Sequence, residues 1–187
     1  MITALHFSLI TFNTRGVEEF GIYITTSYLL LGIIPLICLN RDLMFLGVLN
    51  FLSIVFSLVG VTYILGLIDK RIGEKNMSDF LGIGISAPIM GVLFFLFCLS
   101  LSGMPGFFSF LFNELFLTKL FDYSAPIAAL YIGISILNSI AMLSTGFKLF
   151  YGQSHDRGTI DLNRNEICFG IILATPLLVF CMMIKQY

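Results

Sequence analysis

Six stretches of this sequence are long and apolar enough, or nearly so, to cross a lipid bilayer, and no other feature constrains the fold as much. They are Gly21 to Leu39, Leu43 to Ile68, Leu81 to Gly103, Met104 to Phe121, Pro126 to Tyr151 and Ile167 to Ile184. A helix needs about 20 apolar residues to span a hydrocarbon core of roughly 30 Å. In lipid every backbone N–H and C=O must be satisfied within the chain, and none of the six alternates with the two-residue period of a barrel strand. The pattern therefore predicts an all-α integral membrane protein of about six transmembrane helices, with proline interrupting one of them.

The connections are short and hold most of the charge: Asn40 to Asp42, Asp69 to Asp79, Asp122 to Ala125 and Gly152 to Glu166. None is long enough for a second domain, so residues 1–187 read as a single transmembrane unit. Met1 to Phe12 is too short to span upright. Residues 1–19 are expected to form an interfacial or partial segment, and residues 20–187 the helical bundle. The N-terminus shows neither a basic region nor a small-residue cleavage site, so a cleaved signal or transit peptide is not evident.

Composition narrows the function. The chain is 58% hydrophobic and 11% charged, with net charge −1 and mean hydropathy +0.99. Soluble domains are about 25% charged. Without a basic surface or an aromatic-interleaved Lys/Arg stripe, nucleic acid is not an expected partner, whereas membrane lipid is. The four cysteines, Cys38, Cys98, Cys168 and Cys181, fall singly within apolar runs, and His6 and His155 have no ligand partner near them in sequence. A metal site is not expected. Gly82 to Ser86 (GIGIS) lacks the third glycine and the preceding strand of a dinucleotide fingerprint, and no Walker sequence or cluster-binding cysteine set is present. No redox or nucleotide site is expected on this chain, so whether it counts as an enzyme depends on what it assembles with. Zero Trp beside twenty Phe is compatible with an A+T-rich organelle genome.

Against this background Glu114, inside Met104 to Phe121, is the costly residue. A charge at the bilayer centre costs about 2.5 to 3.5 kcal/mol on insertion scales. A carboxyl at membrane depth can load and release a proton under the control of a partner's charge. Its structural alternative is a hydrogen bond across a helix interface. Lys119 lies five residues on, near the helix end, and Lys148 lies about one turn from the end of its span; both are proton-pathway candidates, and both are also able to snorkel to the headgroups. Pro35, Pro88, Pro105 and Pro176 fall in or at the edges of spans, where each removes a backbone donor. Pro105 and Gly106, which precede Glu114 on the same segment, form the candidate helix break. Ser53 and Ser57, like Ser135 and Ser139, are four apart and share a helix face, which suits either a water chain or close packing.

The run Ser78 to Leu117 (SDFLGIGISAPIMGVLFFLFCLSLSGMPGFFSFLFNELFL) resembles the late helices of the antiporter-like subunits of respiratory complex I, the proton-translocating NADH:quinone oxidoreductase. In that family a "DL.GL" phrase and a proline open a helix that ends in "SLAGIP" or "LPGT", and a Lys or Glu follows in a phrase like "GF.GKF" or "F.GEF". Asp79, Leu81-Gly82, Pro88, Leu99 to Pro105 (LSLSGMP) and Asn113-Glu114 occupy those places. Upstream SYLLLGI resembles an earlier helix, and LSTGFKLFYG, with Lys148, the next-to-last one. The resemblance covers about Ser27 to Tyr187 and favours the subunit 2 type over the subunit 4 type. Counting from Pro105 puts the family's charged position on Asn113, one residue before Glu114.

What the resemblance implies is a membrane-arm piece that contributes to proton translocation coupled to NADH:ubiquinone electron transfer. FMN, iron-sulfur clusters and ubiquinone would then sit on other subunits. Family members have about fourteen helices, arranged as inverted repeats, and this chain matches only the last five or six. The expected partners are other complex I membrane subunits, including a complementary N-terminal fragment of the same subunit, and the expected location is the mitochondrial inner membrane or, alternatively, a bacterial plasma membrane. A structural or assembly subunit without its own proton path, or a component of a cation:proton antiporter, are the alternatives.

Overall fold

The computed structural model describes residues 1–37, 41–72, 82–151 and 161–183. Among these residues the chain is all-helical: α1 (Ile2–Thr11), α2 (Val17–Ile37), α3 (Arg41–Ile72), a 3-10 turn (Ile83–Ile85), α4 (Pro88–Leu101), α5 (Phe108–Tyr123), α6 (Ala125–Tyr151) and α7 (Arg164–Met183). Over its described residues, each of the six apolar stretches thus contains one α-helix or most of one. Three segments, Val17–Ile34, Met44–Arg71 and Ala125–Tyr151, are long and apolar enough to cross a membrane alone.

The helices on either side of Pro105 are each shorter than the bilayer core. At 1.5 Å per residue, the 14 residues of α4 and the 16 of α5 reach only about 21 and 24 Å. They lie end to end along α3. On α4, Phe97 fills the space a Cβ on Gly60 would need, and Ser100 bonds Ser57. Beyond the break, Ser109 and Asn113 of α5 share a pocket with Ile54 and Asn50. Descending residues of α3 therefore meet ascending residues of α4 and then of α5, which makes the pair one interrupted helix antiparallel to α3.

The interruption follows from the sequence LSLSGMPG. Gly103 adopts φ +68°, its N–H bonds the Ser100 carbonyl at 3.1 Å, and the Met104 N–H bonds the Leu99 carbonyl at 3.1 Å. This is a Schellman termination, in which a left-handed glycine reverses the chain to satisfy the last carbonyls. Pro105 follows, where the helix cannot resume, and Gly106, at φ +111°, turns the chain into α5.

Two apolar clusters hold the bundle. One joins α2, α3, α4, α6 and α7 around Phe20, Phe94, Phe97 and Phe150; the other joins α1, α2, α5 and α6 around Phe116 and Tyr131. The short N-terminal helix belongs to the second cluster: Ala4 and Ser8 are fully buried, and the Ala4 carbonyl lies 3.0 Å from Ser27 Oγ on α2. Ser27 also accepts a 2.9 Å hydrogen bond from Asn138 on α6.

The connection before α7 supplies two anchors. The N-cap of α4, Ala87, has no capping side chain, and the Asp161 carboxylate takes its place by accepting the N–H groups of Ile89 (3.0 Å) and Met90 (3.2 Å). A carboxylate suits that position because the first N–H groups of a helix are unpaired and carry partial positive charge. Glu166 accepts the Asn163 N–H at 2.7 Å, the reciprocal half of a capping box, and forms an ion pair with Arg71 at the end of α3. That backbone bond, helped by Arg71, holds the Glu166 carboxyl below the usual carboxylate range.

Candidate functional site

The candidate site lies at the break, where α2, α3, α5 and α6 converge. Its lining includes Tyr28, Asn50, Ser100, Gly103, Ser109, Asn113, Tyr131 and Ser135, around a cavity of about 20 Å³. A buried water needs at least about 10 to 15 Å³ and two to four polar partners, so the space admits a single water.

Two hydrogen-bonded runs meet there. Asn50 Nδ2 donates to the Tyr131 hydroxyl at 3.2 Å, and that hydroxyl reaches Asn113 Oδ1 at 3.4 Å. Ser57 and Ser100 pair through their hydroxyls at 2.8 Å, Ser100 and Ser109 hydroxyls lie 3.3 Å apart, and Ser109 Oγ donates to the Ser100 carbonyl at 2.6 Å. On α3 the ladder continues from Ser57 to the Ser53 carbonyl and from Ser53 to the Asn50 carbonyl. The Tyr28 hydroxyl is buried beside Ser139 and forms no hydrogen bond of normal geometry among the described residues. The face shared by Ser53 and Ser57 thus points inward and bonds across to α4, while Ser135 lines the cavity.

The proton-pathway candidates read from the sequence are not gathered at this site. Glu114, Lys119 and Lys148 are all exposed on the outside of the bundle. Of the adjacent pair on α5, Asn113 lines the cavity and Glu114 points outward, because successive helical residues are turned about 100° apart. The described lining contains amides, hydroxyls and phenols and no carboxylate or amine. Pro105 and Gly106 lie in the non-helical stretch between α4 and α5. Asp79 and Leu81, which carry part of the resemblance, lie outside the described residues. Tyr131 went unnoticed in sequence: a lone tyrosine in an apolar span has no distinguishing signal until Asn50 and Asn113 are brought to its hydroxyl.

A second, larger groove of about 510 Å³ runs between α2 and α3, lined by Glu18, Thr25, Thr62, Leu65 and Asp69 among others. It shares no lining residue with the break.

A chain of respiratory complex I from Thermus thermophilus, solved with bound NADH, superposes with a TM-score of 0.81 over 95% of this chain at 21% identity. The fold is antiporter-like. A chain of the Mrp complex from a Dietzia species shares the antiporter-like fold at a TM-score of 0.80 over 98% of this chain, with 16% identity. In sequence, the chain is similar to NADH-quinone oxidoreductase subunit N of Chlorobium chlorochromatii, with 29% identity over 141 residues, or 74% of its length. No family model matches. The chain spans 25% of that relative and 38% and 43% of the two solved chains. Its location is a membrane.

Proposed function

We propose that this chain is a membrane-arm piece of a respiratory NADH:quinone oxidoreductase of the complex I kind and that it contributes to proton translocation. The observation that carries this reading is the interrupted helix α4–α5 facing a buried, hydrogen-bonded cavity, in a chain similar to a quinone oxidoreductase subunit. The similarity to subunit N favours the oxidoreductase over a cation:proton antiporter, which the shared fold alone would also allow. In this reading FMN, iron-sulfur clusters and ubiquinone belong to other subunits, and a complementary N-terminal fragment supplies the rest of the antiporter-like unit. The membrane is the mitochondrial inner membrane or, as the bacterial relatives favour, a bacterial plasma membrane.

Within the chain, the serine ladder and the Asn50–Tyr131–Asn113 run provide hydrogen-bonding positions on either side of the break, and Glu114, with Lys119 and Lys148, provides exchangeable charge at the surface. Proton exchange by Glu114 then takes place with a neighbouring subunit, and the amide of Asn113 relays orientation without itself carrying charge. Two measurements test this. The chain should migrate in native gels with an NADH-oxidising complex, and Glu114→Gln should lower NADH-coupled proton translocation while leaving assembly intact.

The absence of a carboxylate or amine from the described cavity lining favours a second reading, in which the chain completes the membrane arm structurally and has no proton path of its own. Unchanged pumping by fully assembled Glu114→Gln complex would select it.

A further inference from the structure

The outer face of α5 combines a charge with a depth at which lipid cannot satisfy it. Ser57, which meets Ser100 next to the break, is central in the apolar span Met44–Arg71, so the break lies near the bilayer midplane. Asn113, next to Glu114, meets Asn50 through Tyr131, and Asn50 is seven residues from Ser57, about 10 Å along the helix. The half-thickness of the hydrocarbon core is about 15 Å, which leaves Glu114 inside it, between the midplane and the headgroups. Its side chain is turned away from the cavity and exposed, and among the described residues it has no ion-pair partner. One turn on, Thr118 is exposed on the same face, its hydroxyl returned to the Glu114 carbonyl at 2.9 Å, and exposed Leu115 flanks them.

Acyl chains offer no hydrogen bonds, and ionisable residues within membranes almost always face protein or a water-filled cavity. Lys119 does not supply the missing partner: it lies five residues on, off the three- or four-residue spacing at which helical side chains meet. We propose that the Glu114–Thr118 face of α5 is an interface for a transmembrane helix of another polypeptide, which presents a Lys or Arg at the depth of Glu114. Charge complementarity selects a cationic partner, and the small Thr118 beside the carboxylate leaves room for a long basic side chain. This rests on the proposed place in a multisubunit membrane assembly but stands apart from proton transfer, since it concerns what covers Glu114 and not what Glu114 conducts.

The test uses the full chain in its native membranes with photoreactive benzoylphenylalanine in place of Thr118. Irradiation should give one discrete protein adduct, and peptide mapping should find Lys or Arg within one turn of the linked residue. Glu114→Lys in the same background should lower the adduct yield at least tenfold, and Glu114→Gln by less. Adducts only with lipid, adducts between two copies of this chain, a linked peptide without Lys or Arg, or a yield indifferent to Glu114→Lys would each overturn the proposal. If Glu114→Lys fails to accumulate, mapping of the adduct in the chain with native Glu114 still decides it. A cationic adduct in a chain that does not migrate with an NADH-oxidising complex would keep the interface and discard the functional reading; co-migration without the adduct would do the reverse.

Discussion

The two halves of the interrupted helix are built differently. Eight of the 14 residues of α4 are buried and none is charged, whereas four of the 16 residues of α5 are buried and three, Glu114, Lys119 and Asp122, are charged and exposed. Both halves line the same α3 and meet at one break, so the difference is not one of position in the bundle. Among the described residues, α4 is the more fully surrounded half, and α5 presents a charged face that none of them covers.

Truncating one apolar side chain on each half to alanine should give the largest difference between them. Phe97 on α4 is fully buried against Gly60, while Leu115 on α5 is 42% exposed. Phe97→Ala should destabilise the isolated chain by about 3 kcal/mol, the low end of the usual range for such truncations, because lipid lessens the transfer part and leaves the cavity part. Leu115→Ala should change it by less than about 0.5 kcal/mol. Unfolding in mixed micelles of increasing dodecyl sulfate content measures both. Equal losses would mean that the two halves are held alike.

The helices themselves were legible because lipid enforces them: an apolar run of about 20 residues has no other way to satisfy its backbone. The interruption was legible in part. Gly103 and Pro105 announce a stop, but hydropathy summed across Leu81 to Phe121 does not say whether the chain then turns back or carries on, and α4 and α5 carry on. The site was less legible. Glu114 attracts notice because charge in an apolar run is rare, yet at the break it is its neighbour Asn113 that faces the cavity, and which of two adjacent residues points inward depends on the phase of a helix that starts only at Phe108. Asp161 carried no sequence signal, since it acts on a helix start that is distant in the chain; Asn163 and Glu166 spell a local capping box, but the ion pair of Glu166 with Arg71 depends on the fold.

At the start of α4 the Asp161 carboxylate substitutes for a local cap. Asp161→Ala should cost about 1 kcal/mol, and Asp161→Asn less, because the amide oxygen still accepts. Amide exchange at Ile89 and Met90 should quicken in the alanine variant. Unchanged exchange would show that other groups satisfy those N–H donors. Ser100→Val probes the other end of α4. It removes the 2.8 Å pairing with Ser57 but keeps the Ser100 carbonyl that Ser109 uses, so the loss should be about 0.6 kcal/mol, the average for hydrogen bonds between membrane helices.

The smallest effect concerns Glu166, and its sign is fixed by the direction of its shift. The Asn163 N–H, followed by Arg71, lowers the folded-state pKa below the unfolded value of about 4.3. Its contribution is therefore fully present above that value and is lost as the pH falls through the folded value, where the carboxylate is protonated in both states. The pair is partly exposed, at 20% and 22%, which limits the contribution to roughly 0.3 kcal/mol. Glu166→Gln should cost that amount at pH 7 and nothing well below pH 4, so the stability curves of the two proteins should converge on acidification. Curves that coincide at every pH would assign the stabilisation to the capping geometry, which an amide oxygen can preserve, and not to charge. That outcome would leave α3 and α7 joined by packing alone on the side of the bundle where α4 begins.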